Sequence, residues 1–403
     1  MNILFLGKFY PQTLITNLAT DSKGKAGMSN HNFEMSLING LCQQKDISLK
    51  CMTVPTAYSF PYNNRCFFTR GESYQYKNTH IHSVGFCNLP VIKELWSTIA
   101  LIFALIKVFS KYEGNKVDVI INTPNNGLLN ALRLAKIFTR KKITQTVIIP
   151  DIPAMVTSMD KQHKIKGLVL KHRNTRSMKM TSNSNGLVLL TEAMMDFVDK
   201  PVPYIVMEGI VDVESMDGES ESPTKEVILY TGTLRKIFGV MNLVQAFQKI
   251  NDKDVELWIC GSGDSEVAIK ETANRDSRIK FFGLVDSQTA LKMQRQATIL
   301  VNPRTSEGEY TKYSFPSKTM EYLLSGKSVI INRLPGIPEE YYQYVYTPKD
   351  ESVDAMAECI SCVLADDRDS RNVKAQSGRN FIVSQKNSRI QIKRILEMIT
   401  NYQ

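Results

Sequence analysis

The stretch YTKYSFPSKTMEYLLSGKSVI (residues 310–330) holds residue types whose order could do chemistry. Pro316 suits a first helical turn, because its missing N–H is one that a helix start leaves unpaired anyway. Ser317 and Lys318 would cap that start, and Gly326 would end the helix before the apolar run SVII. A helix N-terminus furnished with a hydroxyl and an ammonium is anion-binding chemistry. Glu321 follows one turn in, a lone carboxylate between Met320 and the run Tyr322, Leu323, Leu324. Three glycine-bearing turns add to this. In GKAGMSNH (24–31), Gly27 opens a helix: either backbone approaches a phosphate there beside Ser29 or Asn30, or an ordinary capped helix follows a long loop. In TGTLRKIFG (231–239), two glycines flank Arg235 and Lys236, as anion contacts or as a solvated loop pair. CGSGDSE (260–266) lacks the full dinucleotide spacing and reads as a tight turn with Asp264 as N-cap.

These residues need a frame, and the rest of the chain supplies one. Short apolar runs at 3–7, 47–54, 80–86, 117–124, 143–150, 186–191 and 204–209 alternate with helical patterns at 28–43, 94–111, 127–139 and 163–180. The polar, acidic stretch 211–226 interrupts the alternation. It resumes with strands at 227–232, 255–263, 279–285, 297–303 and 328–332, and helices at 239–250, 265–273 and 286–296. Continuously apolar strands alternating with helices predict parallel sheets covered on both faces. The expected fold class is α/β, with two Rossmann-like doubly wound domains facing a central cleft, where the carboxyl ends of the strands bind ligands. The expected division is a first domain at 1–205, a linker at 206–226 and a second domain at 227–385, with 386–403 packing back on the first.

Bulk composition agrees. A chain of 403 residues, 43% hydrophobic and 22% charged, is long enough for two domains with full cores. Fifty basic against forty acidic residues give a net charge of +10, which favours anionic partners. Seven cysteines have no framework spacing, and CISC (359–362) falls in a helical pattern, so plain thiols in a reducing cytosol are expected. No aspartate pair with metal-ligand spacing follows a strand, and His80 and His82 stand alone on one strand face, so no metal and no cofactor is expected.

Taken in order, YTGTLRKIFGVMNLVQAF (230–247), LWICGSGD (257–264), IKFFGLVD (279–286) and residues 300–330 resemble family 4 of the retaining nucleotide-sugar glycosyltransferases, which have the GT-B fold of two Rossmann-like domains. NGLVLLTEAMMDF (185–197) and VMEGIVD (206–212) fit the same family's passage between domains, while the first 180 residues resemble it in layout only. The resemblance implies an enzyme that moves a hexose-type sugar from a nucleoside-diphosphate sugar to a hydroxyl, and the missing metal-ligand spacing makes the expected enzyme metal-independent. It implies that Glu321 binds the nucleotide's ribose, a role suited to an acceptor-only carboxylate facing two vicinal hydroxyls. Tyr313 occupies the place of the family's first glutamate, leaving that function to Glu307 or Glu309. Ser317 and Lys318 stand where the family holds the diphosphate. Thr233 and Phe238 replace its usual Arg and Lys, for which Arg235, Lys236 and Arg304 could substitute by stabilising leaving-group charge. The base would lie against Gly283 and Leu284. In VIIPDIPAM (147–155), Asp151 would orient the acceptor or act as base, or simply cap a helix; Pro150 takes the place of the family's histidine.

Two further segments bear on partners. LWSTIALIFALIKVF (95–109) is apolar nearly all round but shorter than the roughly 20 residues that span a bilayer. It is either a core helix or one lying in a membrane surface. Residues 161–180 pack seven Lys/Arg and two His around Ile165, Leu168, Val169 and Leu170, which fits an anionic membrane surface. The expected partners are thus a nucleoside-diphosphate sugar, a lipid-linked or oligosaccharide acceptor of surface polysaccharide synthesis, and the inner face of the cell membrane, with no nucleic acid. The alternatives are a nucleotide-sugar epimerase of the same fold and a basic nucleic-acid-binding protein, which would lack any recognised module.

Overall fold

The continuously apolar runs become buried parallel strands, because a strand with no polar face must be covered on both sides. The computed structural model describes residues 1–11, 28–55, 60, 69–90, 92–153, 164–213 and 224–402, without the side chains of residues 28–29 and 164–167. By contacts the chain divides into two units, Met1–Ile210 with Ser388–Gln403, and Val211–Asn387. Of the stretch 206–226 expected as linker, Val206–Ile210 falls in the first unit and the remainder in the second, residues 214–223 lying outside those described.

In the first unit the order is β1 (Asn2–Gly7), α1 (Met28–Cys42), β2 (Ser48–Thr53), β3 (Glu72–Tyr76), β4 (Thr79–Ser83), α2 (Ile92–Ser110), β5 (Lys116–Asn122), α3 (Asn126–Ile137), β6 (Lys142–Ile149), α4 (Lys164–Thr181), β7 (Gly186–Leu189) and β8 (Tyr204–Val206). The sheet runs β3-β4-β2-β1-β5-β6-β7-β8 and is parallel except for β3, which pairs antiparallel with β4. Sequence pattern did not give β3. Its residues, ESYQY, alternate between exposed and half-buried, as an edge strand does, and the connecting turn places Lys77 at a φ of 48°. Ile3, Leu4, Phe5 and Leu6 of β1 are all fully buried at the centre. Because β1 pairs with β2 on one side and with β5 on the other, the sheet changes winding direction between β1 and β5.

The second unit comprises β9 (Glu226–Thr231), α5 (Val240–Gln248), β10 (Val255–Cys260), α6 (Glu266–Arg275), β11 (Ile279–Gly283), α7 (Ser287–Gln296), β12 (Ile299–Asn302), α8 (Lys318–Leu324), β13 (Ser328–Ile331), α9 (Val353–Ala365) and α10 (Arg368–Gln385). Its sheet, β11-β10-β9-β12-β13, is wholly parallel. Here the winding reverses between β9 and β12. Ile228, Leu257, Ile259 and Val301 of the strands meet Leu243 and Phe247 of α5 and Ile360 of α9 in one core. The last helix, α11 (Ser388–Asn401), belongs to the first unit and packs on α1, with Ile392, Ile395 and Ile399 in the same core as Leu37 and Ile38.

Candidate functional site

In an open α/β sheet, ligands bind outside the carboxyl ends of the strands where the winding reverses. In the second unit that place lies between the loops after β9 and β12. The loop after β9 is held by the loop after β10: Leu234 N–H donates to Ser262 O at 3.0 Å and Ser265 N–H donates to Leu234 O at 2.9 Å. Gly261, at a φ of +146°, is required there, since a Cβ would stand 1.8 Å from Gly232 O. Asp264, expected to cap α6, accepts from Lys236 N–H at 2.8 Å instead. Ser265 takes the N-cap position and makes no side-chain cap bond. The aspartate thus fixes the backbone at Lys236.

Glu321 is reached from the other side. Tyr322, fully buried, pins α8 to the end of β9, its hydroxyl accepting from Thr231 N–H at 2.8 Å and lying 3.1 Å from Thr231 O, to which it donates. The neighbouring Glu321 therefore projects at the mouth of the sheet. Gln294 of α7, fully buried, donates to Thr231 Oγ1 at 3.0 Å and to Glu321 Oε1 at 2.5 Å. Lys318 Nζ donates to the same Oε1 at 2.5 Å. The Glu321 side chain keeps 30% of its surface, and among the described residues Oε2 has no hydrogen-bond partner. One carboxylate oxygen is fixed and the other is open. A carboxylate held this way is pre-aimed to accept two hydroxyls.

The helix start differs from the sequence expectation. α8 begins at Lys318 and has seven residues; Ser317 lies exposed at its N-cap without a side-chain cap bond. Lys318 turns back onto Glu321 rather than outward. So the seven-residue helix is less of an anion cradle than the sequence suggested, and cations on the loops are better placed. Arg304, just past β12, lies with its guanidinium 4.2 Å from the centre of the Phe238 ring. Burial raises the Tyr310 phenol, and Arg304 and Arg235 oppose that rise, so both guanidinium groups act on one point. Burial likewise pushes the Cys260 thiol up to about 11, with Lys318 opposing, which puts Lys318 within electrostatic reach of the end of β10. Thr233 and Lys236 are exposed and Arg235 is half-buried in the same loop. Gly283 ends β11 at a φ of +66° with open space beside its Cα, and its carbonyl accepts from Gly261 N–H at 2.7 Å. Leu284 beside it is exposed. Tyr313 ends a short 3-10 turn (Glu309–Tyr313), with Lys312 Nζ 5.2 Å from its ring centre. Thr233, Arg235, Lys236, Gly283, Leu284, Arg304, Tyr313, Ser317, Lys318 and Glu321 thus all sit at the carboxyl side of the second sheet: Gly283 at the end of β11, Tyr313 at the end of the 3-10 turn, the others on loops or on α8.

Asp151 lies in the first unit, exposed, two residues past β6. Gly27 lies outside the described residues. The loop that it would share begins at β1, whose end is organised by a group that the sequence reading passed over. Glu34 of α1, 1% exposed, accepts from Lys8 N–H at 2.8 Å and Phe9 N–H at 3.1 Å through Oε2, and from Asn122 Nδ2 at 2.9 Å through Oε1. A Cβ on Gly7 would stand 2.0 Å from Glu34 Oε2, so the glycine admits the carboxylate. Burial raises the Glu34 carboxyl to about 7 against those three hydrogen bonds.

Comparison with known proteins bears on the second unit first. Residues 225–366 match the family model Glycosyl transferases group 1. No curated protein matches the chain in sequence. Among solved structures, the chain superimposes over its whole length on the whole of sucrose-phosphate synthase from Thermosynechococcus elongatus, at a TM-score of 0.64 and 14% identity. It does so equally on Anabaena HepE in complex with UDP, at 0.62 and 13%, again covering 100% of both chains. TarM of S. aureus, solved with UDP, aligns at 0.60 and 11%, over 100% of this chain and 99% of that one. At such low identity these likenesses establish the fold, which is GT-B, and nothing finer.

Proposed function

We propose that this protein is a nucleotide-sugar-dependent glycosyltransferase. The observation that carries the reading is Glu321, whose Oε1 is tied to Gln294 and Lys318 while Oε2 stays open, beside the reversal point of the second sheet. Support comes from the glycosyltransferase family match over the same unit and from relatives of this fold solved with UDP and with UDP-glucose. In this reading the nucleotide's ribose hydroxyls donate to Glu321, the base lies along Gly283 and Leu284, and Arg235, Lys236 and Arg304 face the diphosphate with Thr233, Ser317, Lys318 and Tyr313 around it. A hexose is transferred with retention: the bond from C1 to the acceptor oxygen forms as the bond from C1 to the diphosphate oxygen breaks. The acceptor's proton passes to that phosphate oxygen, so no protein base and no metal is needed, and Asp151 orients the acceptor.

We further propose a lipid-linked saccharide acceptor of surface polysaccharide synthesis, reached from the cytosolic face of the membrane. On α2, Ile92, Leu95, Trp96, Ile99 and Phe103 are exposed at spacings that share one helix face, while Ser97, Leu101, Leu105 and Phe109 are buried. α2 packs on α3, which packs on α4, where Leu168, Val169, Lys171 and Lys179 are exposed. An apolar helix face flanked by cations suits an anionic lipid surface. Among the described residues no helix is long and apolar enough to cross a membrane.

The test is calorimetric titration with UDP-, GDP-, ADP- and TDP-sugars, with EDTA present, on the wild type and Glu321→Ala. Binding of one nucleotide class that the substitution abolishes would support the donor site; no nucleotide binding at low salt would overturn it. Donor converted to another sugar nucleotide without acceptor would favour an epimerase.

A further inference from the structure

The reversal point of the first sheet holds a cavity of about 290 Å³ that the donor site does not use. Its walls come from five segments far apart in sequence: Lys8 past β1, Val54 and Pro55 past β2, Lys93, Glu94 and Thr98 on α2, Asn125 before α3, and Arg173 on α4. Three cations thus meet one carboxylate. Arg173 spends part of its charge on Glu94, at 3.2 Å, and both side chains are about half exposed, at 49% and 52%. Lys93 is half-buried, its Nζ 5.1 Å from the centre of the Phe86 ring. Lys8 is half-buried too, and among the described residues its ammonium makes neither a hydrogen bond nor an ion pair. The nearby Glu34 carboxylate is occupied by the amides of Lys8 and Phe9 and by Asn122.

The helix end contributes little here. Asn125 Oδ1 already accepts from Gly127 N–H at 3.0 Å and Leu128 N–H at 3.2 Å. Any anion held in the cavity is held by side chains. Two ammonium groups and a guanidinium converging on a half-enclosed space match the charge and oxygen geometry of a phosphate ester. Without a guest, burial lowers both amines and the Lys8 charge lowers Lys93 further, a repulsion that a bound anion relieves. The volume lies at the low end for ligand pockets, which suits a phosphate with one small ring.

We infer that the cavity lined by Lys8, Lys93 and Arg173 binds the phosphate ester of a phosphorylated saccharide or polyol acceptor. Its designation as acceptor rests on the glycosyltransferase reading; its designation as an anion site does not. Phosphate from a lipid-linked sugar and phosphate from a soluble sugar present the same group, and the site reads that group.

The test titrates inorganic phosphate, glucose 1-phosphate and glucose into the full chain in the presence of a saturating nucleoside diphosphate of the class that the donor titration selects, to block anion binding at the donor loops. Both phosphates should bind and glucose should not. Lys8→Met and Lys93→Met should each weaken phosphate binding by about tenfold or more, and Arg173→Gln should weaken it severalfold. Lys93 and Arg173 lie on helix surfaces, so those two variants carry the test if Lys8→Met fails to fold. Absence of phosphate binding in the wild type, its displacement by the donor nucleotide, or affinity unchanged in Lys93→Met and Arg173→Gln would overturn the site. Phosphate binding that survives while no nucleotide binds would instead sink the glycosyltransferase reading and leave the anion site standing. Adding short-chain lipid phosphate beside glucose 1-phosphate separates the two sources: tighter binding of the former assigns a lipid-linked acceptor, equal binding a soluble one.

Discussion

Truncating Glu321 tests the donor site most directly. Both of its internal contacts fall on Oε1, so Oε2 and the unused lone pair are what a ribose would meet. Two hydroxyls donating to an ionised carboxylate form two charge-assisted hydrogen bonds, each contributing about 1.5–3 kcal/mol. With 30% of the side chain exposed, water competes, and the low end of that range applies. Glu321→Ala should then lose about 3 kcal/mol, near 100-fold in Kd for the preferred nucleoside diphosphate. Removing one hydroxyl from the ligand should cost the wild type about tenfold and the variant nothing, since the partner is gone. The assay is calorimetry with the ribo- and 2′-deoxy-nucleotide on both proteins. The variant also leaves one buried N–H of Gln294 without its acceptor, at about 1–3 kcal/mol, so Tm should fall by several degrees and titrations belong well below it. If Glu321→Ala binds the ribonucleotide within about threefold of the wild type, or still discriminates against the deoxy form, the carboxylate does not hold the ribose and the reasoning fails.

Other consequences are independent of the nucleotide. The Glu34 carboxyl titrates near 7 in the fold against an ordinary 4.5, so the native state binds the extra proton between those values and stability should fall as pH rises through that window, by on the order of 3 kcal/mol, then level above it. Glu34→Gln should flatten that limb in urea midpoints measured against pH; an unchanged limb would mean that another group carries it. Lys93, lowered to about 8 by burial and then by Lys8, is faced also by Glu94, Arg173 and the Phe86 ring. Phosphate affinity should therefore drop by up to about tenfold per pH unit above 8, and less steeply in Lys93→Met, where Lys8 carries what remains. Leu95→Glu with Phe103→Glu should reduce binding to phosphatidylglycerol vesicles by about tenfold or more in flotation assays, with Tm unchanged because both side chains are exposed.

The alternation of apolar runs and helical patterns was enough to read the parallel strands of both sheets, because strands buried on both faces leave a signal in every residue. β3 left none: an edge strand of ESYQY needs no apolar run, and only its pairing with β4 defines it. Glu321 was legible as a carboxylate inside an apolar helical run. Its partner Gln294 was not, since one polar residue in SQTALKMQRQ looks like any other until α7 is seen to bury it. Ser317 was misread for a physical reason. A cap needs a side chain turned onto free amides, and here the residue lies in helical conformation at a φ of −53° without that bond.

The first unit was less legible, for a reason that concerns its chemistry. Glu34 belongs to the same helical pattern as its half-buried neighbours Phe33 and Met35, and what admits it to the interior is the missing side chain of Gly7, 27 positions earlier. Lys8, Lys93 and Arg173 lie on three separate segments, and no spacing rule connects them. They meet because parallel strands deliver all their following loops to one edge of the sheet, and the reversal beside β1 leaves a gap there. The same topology in the second unit yields the opposite electrostatics at Glu321. Among the described residues, the Lys8 ammonium in one unit makes no hydrogen bond or ion pair and the Glu321 carboxylate in the other has one oxygen without a partner; both are incomplete as internal structure, since polar groups that serve only the fold are paired within it. Each is completed by a group of the opposite kind, an oxyanion in the first unit and hydroxyls in the second. That is why one pair of ligands, a phosphate ester and a nucleotide, suffices to test both.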